Sequence, residues 1–425
     1  MTICNNIPQK KGITALLWIM LLDHTSLNVT FPVLTLLFFD AQTSLFSADT
    51  SHAVRSMWYG LCIAIPHVIN IVFTPILSAL SDEFGRKKIL LVATFGAVLF
   101  ALTAALGVLW GGLSLLFFGF VIRGMFSRTN PIAQAVIGDI SNNDNKVLQI
   151  GYLQAAISIG ALLGPLIGGY FANRFLFSAF NFSLPFFIAA WIALLSFIVT
   201  LFFQETHIER RKQWHLRKPF RLPTFSNVTN FSSIFRISIV LLLSQISWSL
   251  YYQFIPPILK TELNFNANQL GLFVGLIALW LALATVLGIR ILQRYITLQQ
   301  MLFISLCTVF LGTVATLFAI TTEWPPLIWL SAIPTAIGDV IAYSCLVALY
   351  SNIVAQSDQG KIMGICFIIV AITWALTALL GGALMSLHHL LPLVLAPVGI
   401  VLAIGYLLQM RPSLVEPPRA FSQDG

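Results

Sequence analysis

Residues 77–91 read LSALSDEFGRKKILL. Five charged side chains, Asp82, Glu83, Arg86, Lys87 and Lys88, are crowded together there, in a chain whose charged fraction is only 9%. Apolar runs begin at once on either side and continue for about 20 residues, the length a helix needs to cross a hydrocarbon core of about 30 Å. The charged knot therefore reads as a water-side connection between two membrane spans.

The rest of the chain extends the same pattern. Its 425 residues are 58% hydrophobic and its mean hydropathy is +0.89, more apolar surface than a water-soluble core can hide. Lipid must be the solvent for the outer faces. Twelve helical spans are expected, near residues 13–38, 53–78, 89–109, 112–137, 148–171, 183–203, 234–258, 269–289, 298–320, 326–350, 361–386 and 389–409. The fold class is all-α integral membrane. The first run follows MTICNNIPQKK, is too long for a signal-peptide core and lacks a small-residue cleavage site after it, so it is expected to persist as the first span.

Basic residues fix the orientation, because Lys and Arg near span ends are retained on the cytoplasmic side. With both termini cytoplasmic, that side receives Lys10, Lys11, Arg86, Lys87, Lys88, Lys146, Arg210, Arg211, Lys212, Arg217, Lys218, Arg221, Arg236, Arg290, Arg294, Lys361, Arg411 and Arg419, which is 18 of the 23 basic residues. The opposite side receives Arg55, Arg174 and Lys260, while Arg123 and Arg128 fall inside a span. The net charge of +8 thus reports topology, not nucleic-acid binding, although the segment ERRKQWHLRKPFR also suits anionic lipid headgroups. The expected location is the cell membrane, inner or plasma, as a multi-pass protein and a monomer.

Cys4, Cys62, Cys307, Cys345 and Cys366 are scattered without a C-x-x-C pair, so neither a disulfide framework nor a metal site is expected. His388 and His389 are adjacent, which on a helix points them to different sides and disfavours a chelating pair. No G-x-x-x-x-G-K-[ST] loop exists and no polar segment is long enough for a catalytic domain, so an enzyme or an ATP-driven pump is disfavoured.

The polar stretch at 204–233, rich in Arg, Lys, Ser, Asn and Pro, divides the spans six and six. The expected organisation is a bundle at 1–203, a basic cytoplasmic linker at 204–233 and a second bundle at 234–425 ending in a short tail. Parallel six-span repeats enclosing a midplane site are a known transporter plan. The internal echo of the knot is weak: GIRILQRYITLQQ, after the eighth span, keeps Gly288, Arg290 and Arg294 but no acid.

Within this frame SALSDEFGRKK resembles the loop signature G-x-x-x-D-x-x-G-R-[RK] of the major facilitator superfamily, with Asp82, Gly85, Arg86 and Lys87 at matching positions and Ser78 where the family has Gly. LLDHTSLNVTFPVL, carrying Asp23 and Pro32, resembles the first helix of the tetracycline and multidrug proton antiporters. GALLGPLIGG, with Gly160, Gly164, Pro165, Gly168 and Gly169, resembles the fifth-helix signature of the antiporter branch. The resemblance implies two pseudo-symmetric six-helix bundles in the major facilitator fold. It also implies that Asp82, Arg86 and Lys87 form a charge-relay latch with neighbouring helix ends, and that the glycine-rich fifth helix bends at Pro165 to gate a cavity. The glycines read equally as close-packing positions, and the basic residues of the knot as enforcers of orientation.

Ionisable groups at mid-bilayer cost about 2.5 to 3.5 kcal/mol on insertion scales, so such residues usually face a cavity and have a function. Four are expected: Asp23, Arg123, Arg128 and Asp339. Asp23 and Arg123 each lie about ten residues, roughly 15 Å, from the ends of their spans, which is near the midplane. Arg123, Ser127, Asn130 and Gln134 recur at helical spacing as one polar stripe, as do Asp23, Ser26 and Thr30, and both stripes are expected to look into a shared aqueous cavity. Asp23 exchanging a proton beside Arg123 is one reading, and a fixed ion pair locking two helices is the other. Phe120 stands where the family often has Arg, and Arg123, about one turn along, is the expected substitute.

Asp339, in AIPTAIGDVIAYSC, is a second candidate for handling a proton or cation, against a packing role. In SQISWSLYYQFIPP the residues Gln245, Trp248 and Tyr252 share one side, and Trp374 is expected to face them, lining a substrate cavity with Arg128, Asn130 and Gln134. Such aromatic residues also serve as packing or interface anchors. The expectation is a proton-coupled exporter of a small organic compound working by alternating access, driven by the proton gradient with no cofactor. The alternative is a proton-driven importer of an anionic solute such as a carboxylate or a carboxylate siderophore, since guanidinium groups match carboxylate geometry.

Overall fold

The computed structural model describes residues 6–41, 43, 45–47, 49–126, 129–141, 145–173, 182–206, 231–354 and 359–410. Its helices are α1 Asn6–Phe39, α2 His52–Phe84, α3 Arg86–Leu109, α4 Leu113–Phe126, α5 Thr129–Ile140, α6 Lys146–Phe171 and α7 Leu184–Phe202. After the linker come α8 Phe231–Leu263, α9 Ala267–Leu283, a π turn Ala284–Gly288, α10 Ile289–Leu292, α11 Leu298–Thr321, α12 Pro325–Ile353, α13 Gln359–Leu387 and α14 Leu391–Met410. Among the described residues no strand occurs. Among the described residues eleven helices are long and apolar enough to cross a membrane. The fourth expected span is built from α4 and α5, on either side of residues 127 and 128, so Arg128 and Ser127 lie outside the described residues.

The charged knot is tighter than a loop. α2 continues through Asp82 and Glu83 to Phe84, one residue, Gly85, intervenes, and α3 begins at Arg86. Gly85 has φ +103, a left-handed conformation that only glycine adopts at no steric cost. The charges that looked like a loop are the water-side ends of two helices. Their backbone stays helical because hydrogen bonding along the axis does not depend on side-chain polarity.

Asn6 to Gly12 likewise prolong α1 beyond its expected start. His388 and His389 depart from the sequence reading. They occupy the short turn between α13 and α14, not a helix, and their rings stack with centroids 4.4 Å apart. The rotation of about 100° per residue that would separate them does not apply outside a helix.

The residues gather into two compact units, one from the described parts of Met1–Phe220 with Pro256–Leu279 and Met385–Leu387, the other from those of Arg221–Ile255, Trp280–Leu384 and His388–Gly425. In the first, α1 packs along α6 and α7, and α3 along α4 and α7. The α1–α6 seam is made by absent side chains. A Cβ on Gly160 would stand 2.7 Å from the Leu21 carbonyl oxygen, one on Gly164 would stand 2.7 Å from that of Thr25, and one on Gly168 would collide with that of Val29.

Three glycines four residues apart thus bring backbone against backbone, the arrangement that gains van der Waals contact where lipid supplies no hydrophobic drive. The next residue, Gly169, does the same for α9: a Cβ there would be 2.9 Å from Cα of Gly271. In the second unit, buried Val240, Leu306, Ile341, Cys366 and Ile400 bring α8, α11, α12, α13 and α14 into one apolar core.

Candidate functional site

Asp23 is 2% exposed, about three turns from the start of the hydrophobic stretch that carries it. Its carboxylate accepts a hydrogen bond from the Thr129 hydroxyl at 2.5 Å. Thr129 opens α5, so an acid in the middle of α1 is held from the second half of the fourth span. The sequence reading missed Thr129, since a threonine beside Asn130 carries no signal of its own.

The rest of the α1 stripe does not open into a cavity. Ser26 donates to the carbonyl of Ala189 on α7 at 2.8 Å, and Thr30 donates to Leu27 on its own helix at 3.0 Å. Both are buried in protein, because a short hydroxyl is satisfied by the nearest carbonyl and needs no water. The expected aqueous face along Ser26 and Thr30 is therefore a packed seam.

Arg123, in the last turn of α4, lies with its guanidinium carbon 5.5 Å from the Phe100 ring centre and 5.7 Å from that of Phe120. Phe100 and Phe120 themselves meet edge to face at 5.3 Å, so the two rings together form an aromatic seat for the guanidinium. Gln134 donates to Asn130 at 3.1 Å on the more exposed side of α5. Asp339 is 7% exposed in α12. Its carboxylate has no hydrogen bond or ion pair to any other described residue, a costly arrangement for an ionised group.

In the second unit the aromatic residues do come together. The Trp248 and Tyr252 rings stack at 5.4 Å, and Trp374 lies 6.0 Å from Tyr252. The Trp374 indole N–H donates to Gln245 Oε1 at 3.2 Å, and Ser249 donates to Thr377 at 2.8 Å beside them. α8 and α13 are thereby cross-linked by polar bonds around a ring cluster that has both apolar faces and hydrogen-bonding edges.

The knot assembles a second constellation. Arg86 donates through Nε to Asp139 at 2.9 Å, and through Nη1 to Ser81 at 2.7 Å and to Asp82. The Glu205 carboxylate accepts from the backbone N–H groups of Arg86 at 2.8 Å and Lys87 at 3.2 Å, capping the start of α3. A negative group at a helix N-terminus satisfies donors left without partners and opposes the positive end of the dipole.

Lys87 Nζ donates to the carbonyl of Leu201 near the end of α7 at 2.7 Å. Four helix ends, those of α2, α3, α5 and α7, are thus tied at one point. Asp139 and Glu205 were not singled out from sequence. They lie 53 and 119 residues from Arg86, and their one visible mark was an acid at the end of an apolar run.

Among the described residues no group of three His, Cys, Asp or Glu side chains is placed to hold a metal ion, and Cys62, Cys307, Cys345 and Cys366 are free thiols.

Comparison with known proteins accords with this architecture. Tetracycline resistance protein class D of Salmonella ordonez is 27% identical over 391 residues, covering 89% of this chain and 90% of its own. The class E protein of Escherichia coli is 26% identical over 358 residues, 82% of this chain and 81% of its own. The class B protein of Escherichia coli is 32% identical over 190 residues, 44% of this chain and 43% of that one.

Among solved structures, the human organic anion transporter MFSD10 superposes with a TM-score of 0.66 at 17% identity, over 94% of this chain and 99% of that one. A peptide transporter POT bound to sulfate gives 0.72 at 15%, over 95% of each. These share the fold. The profile of the Major Facilitator Superfamily matches residues 14–238 and again 237–423. A twice-matched profile on an all-helical, multi-pass chain makes this a membrane transporter and not an enzyme: it belongs to the Major Facilitator Superfamily.

Proposed function

We propose that the protein is a proton-coupled exporter of a small organic compound, working by alternating access in the cell membrane with both termini cytoplasmic. The observation that carries the reading is Asp23, an acid buried in the middle of a membrane span and held by the single hydroxyl of Thr129. An acid sunk among hydrocarbon is retained against its cost when it loads and unloads a proton. Asp339, buried in the second unit, is the second candidate, and Arg123 sets the electrostatic surroundings of the first.

Relatives named as tetracycline and multidrug resistance proteins favour export of a drug-like substrate over uptake of an anionic solute. Trp248, Tyr252, Trp374 and Gln245 supply the flat apolar surfaces and polar edges such a compound uses, with Asn130 and Gln134 as further polar groups. The knot serves as a latch: each ion pair with an exposed partner contributes only about 0 to 1 kcal/mol, enough to bias two nearly balanced conformations and weak enough to break in each cycle.

The test is flux in vesicles with an imposed pH gradient, run over cationic, neutral and polycarboxylate compounds and with the gradient reversed in half the runs. Asp23→Asn is expected to abolish uphill transport while the protein inserts normally. Uphill transport retained in that variant would remove Asp23 from the mechanism. Transport of the polycarboxylates alone would replace the drug reading with the anion one.

A further inference from the structure

At the end of the first unit where α1 stops and α2 begins lies a cavity of about 780 Å³. This is the size range of pockets that enclose drug-sized ligands, which run from about 300 to 1,000 Å³. Leu36, Phe39 and Phe182 form an apolar wall, and Asn173, Asn264 and Asn268 contribute amides. Two of its lining residues carry full charges of opposite sign, Asp40 and Lys260, and they meet across it at 2.9 Å with side-chain exposures of 20% and 16%.

The remaining titratable lining residue, His52, packs its ring on Phe39 at 5.2 Å and has Nδ1 within 3.3 Å of the Ser56 hydroxyl. Arg55, nearby, is spent on the backbone. It donates to the carbonyls of Phe38, Asp40, Ser47 and Thr50, and so braces this end of α1 and α2.

The charges decide what fits. A monoanion that took Lys260 would leave Asp40 half-buried without its counter-charge, and a monocation would do the same to Lys260. Removing one partner of a sheltered pair is the costly case. A molecule carrying one charge of each sign exchanges a single ion pair for two and leaves none unmatched.

We propose that this cavity is a binding site for a zwitterionic amphiphile, its carboxylate on Lys260, its ammonium on Asp40 and its apolar body against Leu36, Phe39 and Phe182. This assignment does not depend on which acid carries the coupling proton.

Calorimetry on the purified full-length protein in detergent tests this with leucyl-glycyl-phenylalanine as the zwitterion, its N-acetyl form as the anion and its C-terminal amide as the cation. The zwitterion is expected to bind at least tenfold more tightly than either capped form. Lys260→Met is expected to erase the preference over the amide, and Asp40→Asn the preference over the acetylated form. The exchange of both, Asp40→Lys with Lys260→Asp, is expected to keep the zwitterion bound, since both signs remain, and it guards against misfolding of a single variant. Equal binding of the three peptides, or no binding of any, would overturn the proposal. So would binding that is lost in Trp374→Ala but keeps both preferences in Asp40→Asn and Lys260→Met.

Discussion

Asp23 stood out in the sequence because a carboxylate inside an apolar run has to be accounted for, whereas its partner Thr129 is a residue type found everywhere in membrane helices. What distinguishes Thr129 is its 2.5 Å bond across to α1, a relation between positions 106 residues apart that no spacing rule reaches. Hydrogen bonds to charged groups contribute about 1.5 to 3 kcal/mol. Thr129→Val is therefore expected to lower proton-driven flux about tenfold, and Thr129→Ser, which keeps the hydroxyl, to retain it. Vesicle flux on the two variants separates loss of the bond from loss of packing. At the knot, Arg86 was legible and its partners Asp139 and Glu205 were not, for the same reason. Arg86→Lys keeps the charge but loses the planar fork that reaches Asp139, Ser81 and Asp82 together, and is expected to lower the thermal unfolding midpoint in detergent although net charge is unchanged.

Helices were legible as lengths of apolar sequence, and their ends were not. α2 runs to Phe84 and α1 starts at Asn6, because a helix does not stop where the lipid does. The π turn at Ala284–Gly288 was hidden too, since no proline marks it and hydropathy continues across it. The glycines of GALLGPLIGG were read as either packing or gating positions. Their backbone contacts with α1 give the packing reading a geometry that can be tested against an internal control. Gly164→Ala is expected to destabilise the protein by about 1 to 3 kcal/mol through overpacking, while Gly405→Ala, with open space around its Cβ position, gains up to about 1 kcal/mol of helix propensity. Thermal unfolding of the pair in one detergent makes the comparison. Gly85→Ala meets two penalties at once, a positive φ and the Glu205 carboxylate in the space a Cβ would take, and is expected to cost about 1 to 3 kcal/mol.

For the whole molecule, composition was decisive, because nothing but lipid accepts 58% hydrophobic residues at this length. The proposed orientation rests on where the 23 basic residues fall, and on it a cysteine placed at Gln423 in a thiol-free variant is expected to react with an impermeant maleimide only after the cells are opened. Labelling of intact cells would invert the topology. The pairing of Asp40 with Lys260 was beyond sequence reasoning, as the two residues lie on different halves of the chain. The glycine seam has a last consequence for how such a protein evolves. Carbonyl oxygens, which every amino acid carries alike, set the height at which Asp23 rides against α6. The oil-facing coat is then free to drift, or to be retuned for a thicker or thinner bilayer, without moving the acid from its level.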